Sequence, residues 1–182
     1  MGRTRTAALD GARRVLAEHG LRKATMGDVA VRGGLAKATL YNHVRTKDDL
    51  VAGLVADDVA ELGADCRDLA ADDLAVALTR AADGVAAHPA LVGLRTVEPA
   101  ALLPAAAPGP GAGWDVVRAQ VALVLDAAGR SQAAEHVDLV CRWLGSHVVQ
   151  PGTQDSRAAQ ARAVAAAVPV AVRTTAFAAP TA

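Results

Sequence analysis

Residues 37–43 concentrate side chains that can donate hydrogen bonds. These side chains are Lys37, Thr39, Tyr41, Asn42 and His43, and the tyrosine is the only one in the chain. Leu40 and Val44 lie four residues apart, which predicts a short helix that begins near Ala36 and buries both on one face. The polar side chains then lie on the other face, where such donors bind phosphates and base edges. The pattern predicts contact with DNA.

A second short helix and a turn precede this segment. Thr25 can cap the helix start, because its side-chain oxygen accepts from the free backbone N–H groups there. Apolar residues then recur at helical spacing at Met26, Val29 and Ala30. Gly33 and Gly34 stop the helix, and Leu35 is expected to point inward after the turn. Two short helices joined in this way are typical of a helix-turn-helix, whose second helix enters the major groove.

Longer helices are expected on both sides of this motif. Apolar residues at helical spacing predict a first helix over about residues 7 to 19, after a flexible basic arm at residues 1–6. Thr46 caps a further helix that continues to about Gly63. Lys47, in the first turn of that helix, is electrostatically unfavourable unless an anion lies opposite it. A DNA phosphate would be such an anion.

The residues of this region resemble the TetR family of transcriptional regulators. The family pattern runs from AEHG, through T…IA…GVSKGTLYHHF, to K-E-x-L. This chain has AEHG at 17–20, Thr25, VA at 29–30, GLAKATLYNHV at 34–44 and KDDL at 47–50. It departs from the pattern at Ala36, where the family has a serine that can cap the helix, and at Val44, where the family has a phenylalanine.

The resemblance implies an all-α fold in two parts. A three-helix DNA-binding domain would occupy residues 1–46, and a helical effector-binding and dimerisation domain residues 47–178, before a disordered tail at 179–182. It also implies phosphate contacts from Thr25, Tyr41 and Lys47. Base edges would be contacted by Lys37 and by the methyl group of Ala38, and the same recognition helix carries Thr39, Asn42 and His43.

Charge and composition agree with this division. Residues 1–50 hold ten Lys and Arg against five Asp and Glu, whereas residues 51–182 hold nine against fourteen. A basic module on an acidic body suits a protein that touches a polyanion with one end. The chain is 52% hydrophobic but only 2% aromatic, so its core must consist of Ala, Val and Leu, which favours closely packed helices over a sheet.

The middle of the chain holds few side chains that could orient a ligand. By the resemblance, residues 50–130 enclose an effector, and the side chains available are His88, Arg95 and Trp114. Each also has a structural interpretation: His88 as a helix-end residue, Arg95 paired with Glu98, and Trp114 as a core residue. One Trp and no Tyr or Phe in that range disfavour a flat aromatic cation. An aliphatic or carboxylate-bearing ligand is expected, with Arg95 as its counter-charge.

Helices separated by clear breaks are expected in the second half. Asp72 caps one that ends at His88-Pro89, and another covers residues 114–128. The segment 104–113, PAAAPGPGAG, is a loop that serves either as an inert connection or as a flap beside a cavity. Ser131 caps a helix over 131–149, and a last helix, kinked at Pro169, covers 156–177. By the resemblance, these last two helices form a homodimer interface.

Motifs of enzymes and metal sites are not found in the sequence. There is no HExxH, GxSxG or phosphate-binding glycine loop, and Cys66 and Cys141 lie far apart. No run of about eighteen apolar residues occurs. The expected protein is a cytoplasmic, homodimeric transcriptional repressor without a cofactor, released from a palindromic DNA operator by a small-molecule effector. The alternative is a helix-turn-helix protein without a ligand, acting as a constitutive DNA-binding or protein-interaction module.

Overall fold

The computed structural model describes residues 2–171, which form α-helices connected by short turns. The helices are α1 Gly2–Lys23, α2 Met26–Arg32, α3 Lys37–His43, α4 Lys47–Ala70, α5 Leu74–Ala87, α6 Pro89–Val97, α7 Leu103–Ala106, α8 Ala112–Ala127, α9 Ala134–Val149 and α10 Gln154–Ala167, with a 3-10 turn at Pro99–Leu102. The extended pairing within residues 2–171 is a single bridge between Arg130 and Val170. The predicted all-α fold class is confirmed.

The first three helices and the start of α4 share one core. Its buried residues are Ala8, Leu9, Ala12, Val15, Leu16, Ala24, Met26, Val29, Ala30, Leu40, Leu50, Leu54 and Ala90. Helix α1 crosses α2 at Gly11, where a Cβ atom would lie 2.5 Å from the Val29 carbonyl oxygen and 2.8 Å from the Gly33 nitrogen. This close backbone contact fixes α2, and through the turn α3, on α1.

The second core lies between α4, α5, α8, α9 and α10. Its largest fully buried side chains are Leu125, Val140, Cys141 and Val168. Valine, leucine and alanine supply nearly all of this core, as the low aromatic content predicts. Helix α4 contributes to both cores, through Leu50 and Leu54 near its start and through Cys66 and Ala70 near its end. It therefore connects the N-terminal helices rigidly to the rest of the described chain.

Two N-terminal helices are longer than the sequence predicts. The expected flexible arm at residues 1–6 is wrong for the described part of it, because α1 begins at Gly2 and Arg5 forms an ion pair with Asp57 of α4. Helix α1 kinks at Gly20, whose φ is +77°, and continues to Lys23. Helix α4 continues past Gly63. This glycine lies within the helix and packs against Gln120 of α8, whose Oε1 would lie 2.5 Å from an added Cβ.

Helix starts in the second half are shifted from their expected positions. Asp73, not Asp72, caps α5 by accepting from the Ala75 N–H at 2.7 Å. Helix α9 begins three residues after Ser131, whose Oγ accepts from the Ala133 N–H at 3.3 Å instead. The expected loop at 104–113 is shorter, since α7 extends to Ala106 and α8 begins at Ala112.

The last described helix ends before its proline. Helix α10 ends at Ala167 and is not kinked at Pro169, because the chain turns into an extended segment there. The Pro169 carbonyl accepts from the Ser131 N–H, and the Ala171 N–H donates to Gly129, both at 2.9 Å. The expected helix beyond residue 171 and the tail at 179–182 lie outside the described residues.

Candidate nucleic-acid interface and ligand cavity

The recognition helix α3 exposes most of the side chains predicted to contact DNA. The exposed residues are Lys37, Ala38, Tyr41, Asn42 and His43, while Thr39 is half-buried. Leu40 is completely buried beneath them and anchors the helix to the core of the N-terminal helices. Ala36, which precedes α3, has no side chain that could cap it, so the free N–H groups at the helix start have no side-chain acceptor there. The missing serine thus has the structural consequence that the sequence predicts.

The glycine turn sets the position of α3 relative to α2. Gly34 has a φ of +63°, in the left-handed region that favours glycine. The Leu35 N–H then donates to the Ala30 carbonyl at 2.8 Å, which closes the turn over the end of α2. The half-buried Leu35 and Val44 pack against the same core at the two ends of α3. The helix-turn-helix predicted from residues 25–44 is the arrangement found.

Thr25 and Lys47 already make contacts within the protein. The Thr25 hydroxyl accepts from the Asp28 N–H at 3.2 Å and donates to the Asp28 carboxylate at 2.6 Å, a hydrogen bond that lowers the pKa of Asp28. The Lys47 ammonium donates to the carbonyls of Leu21 at 2.9 Å and Ala24 at 3.3 Å, near the end of α1. Carbonyls near a helix end carry partial negative charge, so they also explain a cation at the start of α4.

Several cations of the N-terminal helices remain available for phosphates. Arg13 and Arg32 form ion pairs with carboxylates of the chain. Lys37 and Arg45, on and just after α3, are exposed and make no ion pair within residues 2–171. The basic surplus read from the sequence is therefore accessible beside the recognition helix.

A cavity of about 730 Å³ lies among the helices of the body and reaches α1. Its walls are almost entirely aliphatic, with Leu16, Leu54, Leu62, Leu78, Leu91, Leu94, Leu102, Val121, Val124, Leu125, Val140, Leu144 and Val148 among the lining residues. Protein sites for small molecules commonly have volumes of about 300–1,000 Å³ and mainly apolar walls. The cavity is thus large enough for a small organic molecule of low polarity.

One polar cluster lines this cavity at its contact with α1. Asp58 of α4 accepts hydrogen bonds from Arg13 of α1, whose Nε lies 2.9 Å from Oδ1, and its Oδ2 lies 2.7 Å from Nε2 of His88. Burial alone would raise the pKa of Asp58, but the hydrogen bonds from His88 and Arg13 outweigh it and lower this pKa. The Nδ1 atom of His88 is buried without a hydrogen-bond partner in the described chain.

The sequence contained a signal for this cluster that its analysis missed. Asp58 lies midway between Leu54 and Leu62, four residues from each, so its carboxylate interrupts the apolar face of α4. Arg13 similarly lies between Leu9 and Leu16 on α1. An oppositely charged pair within two apolar stripes indicates helices that meet through that pair.

The other polar groups of the cavity lie towards its outer edge. Asp65 and Arg80 are exposed and pair with each other at 2.6 Å. Gln120 accepts from Nη1 of Arg67 at 2.5 Å. Trp114 lines the cavity, and its Nε1 donates to the Pro104 carbonyl at 3.3 Å, which holds α8 to α7 across the intervening loop. His88 and Trp114, predicted as ligand-binding residues, therefore both line the cavity.

Arg95, the third predicted ligand-binding residue, does not line the cavity. Its guanidinium donates to four backbone carbonyls at the ends of α5 and α9: Val85 at 3.3 Å, Ala86 at 2.8 Å, His147 at 2.9 Å and Val148 at 2.9 Å. Burial lowers its pKa. Its expected partner Glu98 instead accepts from the Arg22 N–H at 2.9 Å. The expected pair with Glu98 was wrong, because free helix-end carbonyls attract the donors of Arg95. The ligand contact of Arg95 stays a prediction that the position of its guanidinium does not favour.

The outer faces of α9 and α10 carry small and apolar side chains. Leu139 and Val149 of α9 are 38% and 43% exposed. The exposed residues of α10 include four alanines, Ala159, Ala163, Ala166 and Ala167. These faces belong to the two segments that the sequence analysis assigned to a dimer.

Other chemistry is limited in the described chain. Burial raises the pKa of Cys66 and Cys141 to about 11, so neither thiol is reactive at neutral pH. Residues 2–171 contain no group of three or more His, Cys, Asp or Glu side chains placed to hold a metal ion. No helix within that range has the length and apolarity to span a membrane.

Comparison with known proteins identifies the N-terminal region and the fold. Residues 8–54 match the family model of bacterial regulatory proteins of the tetR family. A comparison with curated proteins finds no match. Similar solved structures are the TetR family repressor AlkX from Dietzia sp. strain DQ12-45-1b, with 14% identity and a TM-score of 0.65, and the fatty acid degradation regulator FadR from Bacillus halodurans, with 17% and 0.66.

These similarities extend over most of each chain. The alignments cover 90% of this chain and 94% of AlkX, and 91% and 94% for FadR of Bacillus halodurans. FadR from Bacillus subtilis, solved in complex with stearoyl-CoA, has 14% identity and a TM-score of 0.63 over 88% of this chain and 95% of its own. Residues 8–54 are therefore similar to the N-terminal region of the tetR family of bacterial regulatory proteins, and the described chain shares the fold of these solved regulators.

Proposed function

We propose that this protein is a homodimeric repressor that binds a palindromic DNA operator and is released from it by a small-molecule effector. The observation that carries the proposal is the exposed polar face of α3, supported by buried Leu40 on a rigid three-helix core. Residues 1–46 would form the DNA-binding domain and residues 47–178 the effector-binding and dimerisation domain. The protein would act in the cytoplasm as a regulator and not as an enzyme.

On DNA, the start of α3 would enter the major groove. Lys37 would donate to guanine and the methyl group of Ala38 would contact thymine, with Thr39, Asn42 and His43 on the same helix. Tyr41 would contact a phosphate, together with Thr25 and Lys47 at the starts of α2 and α4. Lys47 donates to two carbonyls and keeps a third N–H for a phosphate. The Thr25 hydroxyl has a single O–H, which would have to turn from Asp28 to the phosphate.

The apolar cavity would hold the effector, with His88 and Trp114 among its lining residues. The similar FadR of Bacillus subtilis was solved with stearoyl-CoA, and AlkX is implicated in the biodegradation of n-alkanes. Aliphatic walls in this chain support an aliphatic ligand here as well. Bound ligand would favour a body conformation in which α4 carries the DNA-binding helices out of register.

Dimerisation would use the outer faces of α9 and α10. Small and apolar side chains allow helices of two subunits to approach closely, and Ala159, Ala163 and Leu139 lie exposed there. A two-fold axis would place two copies of α3 about one turn of DNA apart, or a multiple of it. This is why the operator is expected to be palindromic.

Two lysine substitutions should separate phosphate contacts from base contacts. Lys47→Ala should weaken binding to all DNA sequences alike and make the dependence of log K on log[salt] shallower by about one. Lys37→Ala should instead relax the preference at one base position of the site. Salt titrations of operator binding and a set of single-base operator variants measure the two effects.

The matched control for both is Arg118→Ala, which removes a cation of α8 that pairs with Asp115. It should leave the salt dependence and the base preference as in the wild type. A salt slope that is equal in Lys47→Ala and the wild type would refute the phosphate contact of Lys47.

A further inference from the structure

The cavity offers a ligand one enclosed cluster of charged side chains. Its walls are aliphatic, and the lining residues Glu61, Asp65 and Arg80 are exposed at its outer edge. Asp58, by contrast, has only 17% of its side chain exposed and lies next to the similarly enclosed Arg13 and His88. A polar group that enters an apolar cavity must find a hydrogen-bonding partner there, because an unpaired buried polar group is unfavourable. The polar end of a bound ligand therefore belongs at this cluster.

The charge of the cluster determines which end group it accepts. Arg13 is bonded to Asp58 on one side and to Asp10 on the other, at 2.6 Å, and Asp57 lies 3.7 Å from its Nη2. Arg5 also pairs with Asp57. These two arginines face three aspartates, so the cluster is negative when His88 is neutral and uncharged when His88 is protonated. It therefore has no surplus positive charge to bind a carboxylate or a phosphate.

We propose, on the basis of the proposed repressor function, that the effector is an elongated aliphatic molecule with a hydrogen-bond-donating end group that binds the Asp58 carboxylate. A hydroxyl or an ammonium end supplies the required donor. The carboxylate accepts this bond through an oxygen that now faces Arg13 or His88. The aliphatic chain then lies along the leucines and valines of α4, α5 and α8. This replaces the carboxylate-bearing alternative, whose counter-charge Arg95 is held by backbone carbonyls.

The same position explains how occupancy reaches the DNA-binding helices. Arg13 belongs to α1, Asp58 to α4 and His88 to the corner between α5 and α6. A ligand group that donates a hydrogen bond to Asp58 weakens the bond between Arg13 and Asp58. That bond joins α1 to α4. Arg13 keeps Asp10 as a partner on its own helix, so it is not left unpaired. Ligand binding thus loosens α1 from α4 without leaving a buried charge.

The test compares three probes that share one chain length and differ in their end group: decan-1-ol, decylamine and decanoate. Their dissociation constants for the full-length protein are measured by calorimetry, together with release of a selected operator. The alcohol and the amine should bind about tenfold more tightly than decanoate, and release DNA at correspondingly lower concentrations. The relative affinity of alcohol and amine tells which donor the site prefers.

Two variants assign the effect to Asp58. Asp58→Asn should reduce the preference over decanoate to less than about threefold, whereas Asp65→Asn, which removes a carboxylate at the outer edge of the same cavity, should retain it. Tighter binding of decanoate, or an unchanged preference in folded Asp58→Asn, would overturn the inference. So would failure of all three probes to bind a protein that still binds its operator, a result that leaves the DNA-binding function standing. Absence of operator binding would instead refute the repressor function itself. The order of the three probe affinities is measured on the wild-type protein, so this part of the test does not depend on a variant that folds.

Discussion

Replacing Gly93 with alanine is expected to lower the free energy of unfolding by about 2 kcal/mol. At Gly93, α6 packs closely on α1, and an added Cβ atom would lie no more than 2.6 Å from three backbone atoms of Ala17. Backbone atoms cannot rotate away as a side chain can, so α6 and α1 must separate. Alanine is the better helix former, but this gain of about 1 kcal/mol does not offset the clash. Urea unfolding followed by circular dichroism measures the change.

Gly53→Ala is the matched control for this substitution. Gly53 lies within α4 and has no atom within 4 Å of the position of an added Cβ. The same chemical change should therefore raise the free energy of unfolding by up to about 1 kcal/mol. Because Gly93 joins the cavity-lining α6 to α1, its variant should also bind operator more weakly. A Gly93→Ala protein as stable as the wild type would contradict the close packing of α6 on α1.

Arg95→Met should lower the free energy of unfolding by about 3 kcal/mol, the larger of the two effects. The guanidinium satisfies four carbonyls at the ends of α5 and α9, and Met has a similar length but no donor. A carbonyl left buried without a hydrogen-bond partner destabilises the folded protein, whereas a carbonyl that reaches water regains part of the lost hydrogen-bond free energy. Arg95→Lys should be intermediate, since an ammonium cannot span both helix ends.

The control for this prediction is Arg32→Met on α2, away from the proposed dimer interface. Arg32 is exposed and pairs with the exposed Glu18 of α1. Such a pair contributes about 1 kcal/mol or less. Equal losses in the two variants would contradict the role of Arg95 as the connection between α5 and α9. Chemical denaturation of both variants beside the wild type decides this.

The helix-turn-helix could be predicted because its signals are local. Thr25 caps α2 through the nearby Asp28, and Gly34 takes the left-handed conformation of the turn. The spacing of Leu40 and Val44 marks the buried face of α3, although the core that Leu40 enters comes largely from α1. The cap of α4 at Thr46 is equally local, and its capping box with Asp49 is present. The family pattern added the identity of the module to what these residues already indicate.

The ligand cavity could be predicted only in part, because its polar contacts join distant segments. The charges of Asp58 and Arg13 interrupt two apolar stripes, but Asp58 meets Arg13 across 45 positions and His88 across 30, so no local pattern shows which residues pair. The sequence predicts a pair between Arg95 and the nearby Glu98, but two of the four carbonyls that Arg95 binds lie more than 50 residues away. Buried groups choose partners by distance in space, which the sequence order does not show.

Helix ends were misplaced where tertiary contacts extend or stop a helix. Arg5 of the expected arm is held by Asp57, so α1 continues to its first described residue. The sequence predicts a helix end near Gly63, but the packing of Gln120 against it keeps it inside α4. Pro169 lies in an extended segment paired with residues 129–131, which ends α10 before the proline could kink it.

Selection of bound fragments from a random duplex library by the full-length protein tests the central claim most directly. A homodimer that presents two copies of α3 should enrich an inverted repeat, with half-sites about 10 base pairs apart or a multiple of it. Sequencing of the enriched fragments gives the symmetry, the spacing and the base positions at once. We expect the wild-type protein to enrich a palindrome. The Lys37→Ala variant should enrich the same palindrome with a weaker base preference at one position in each half-site. Enrichment of no sequence, or of a single half-site without symmetry, would contradict DNA recognition by a two-fold symmetric dimer.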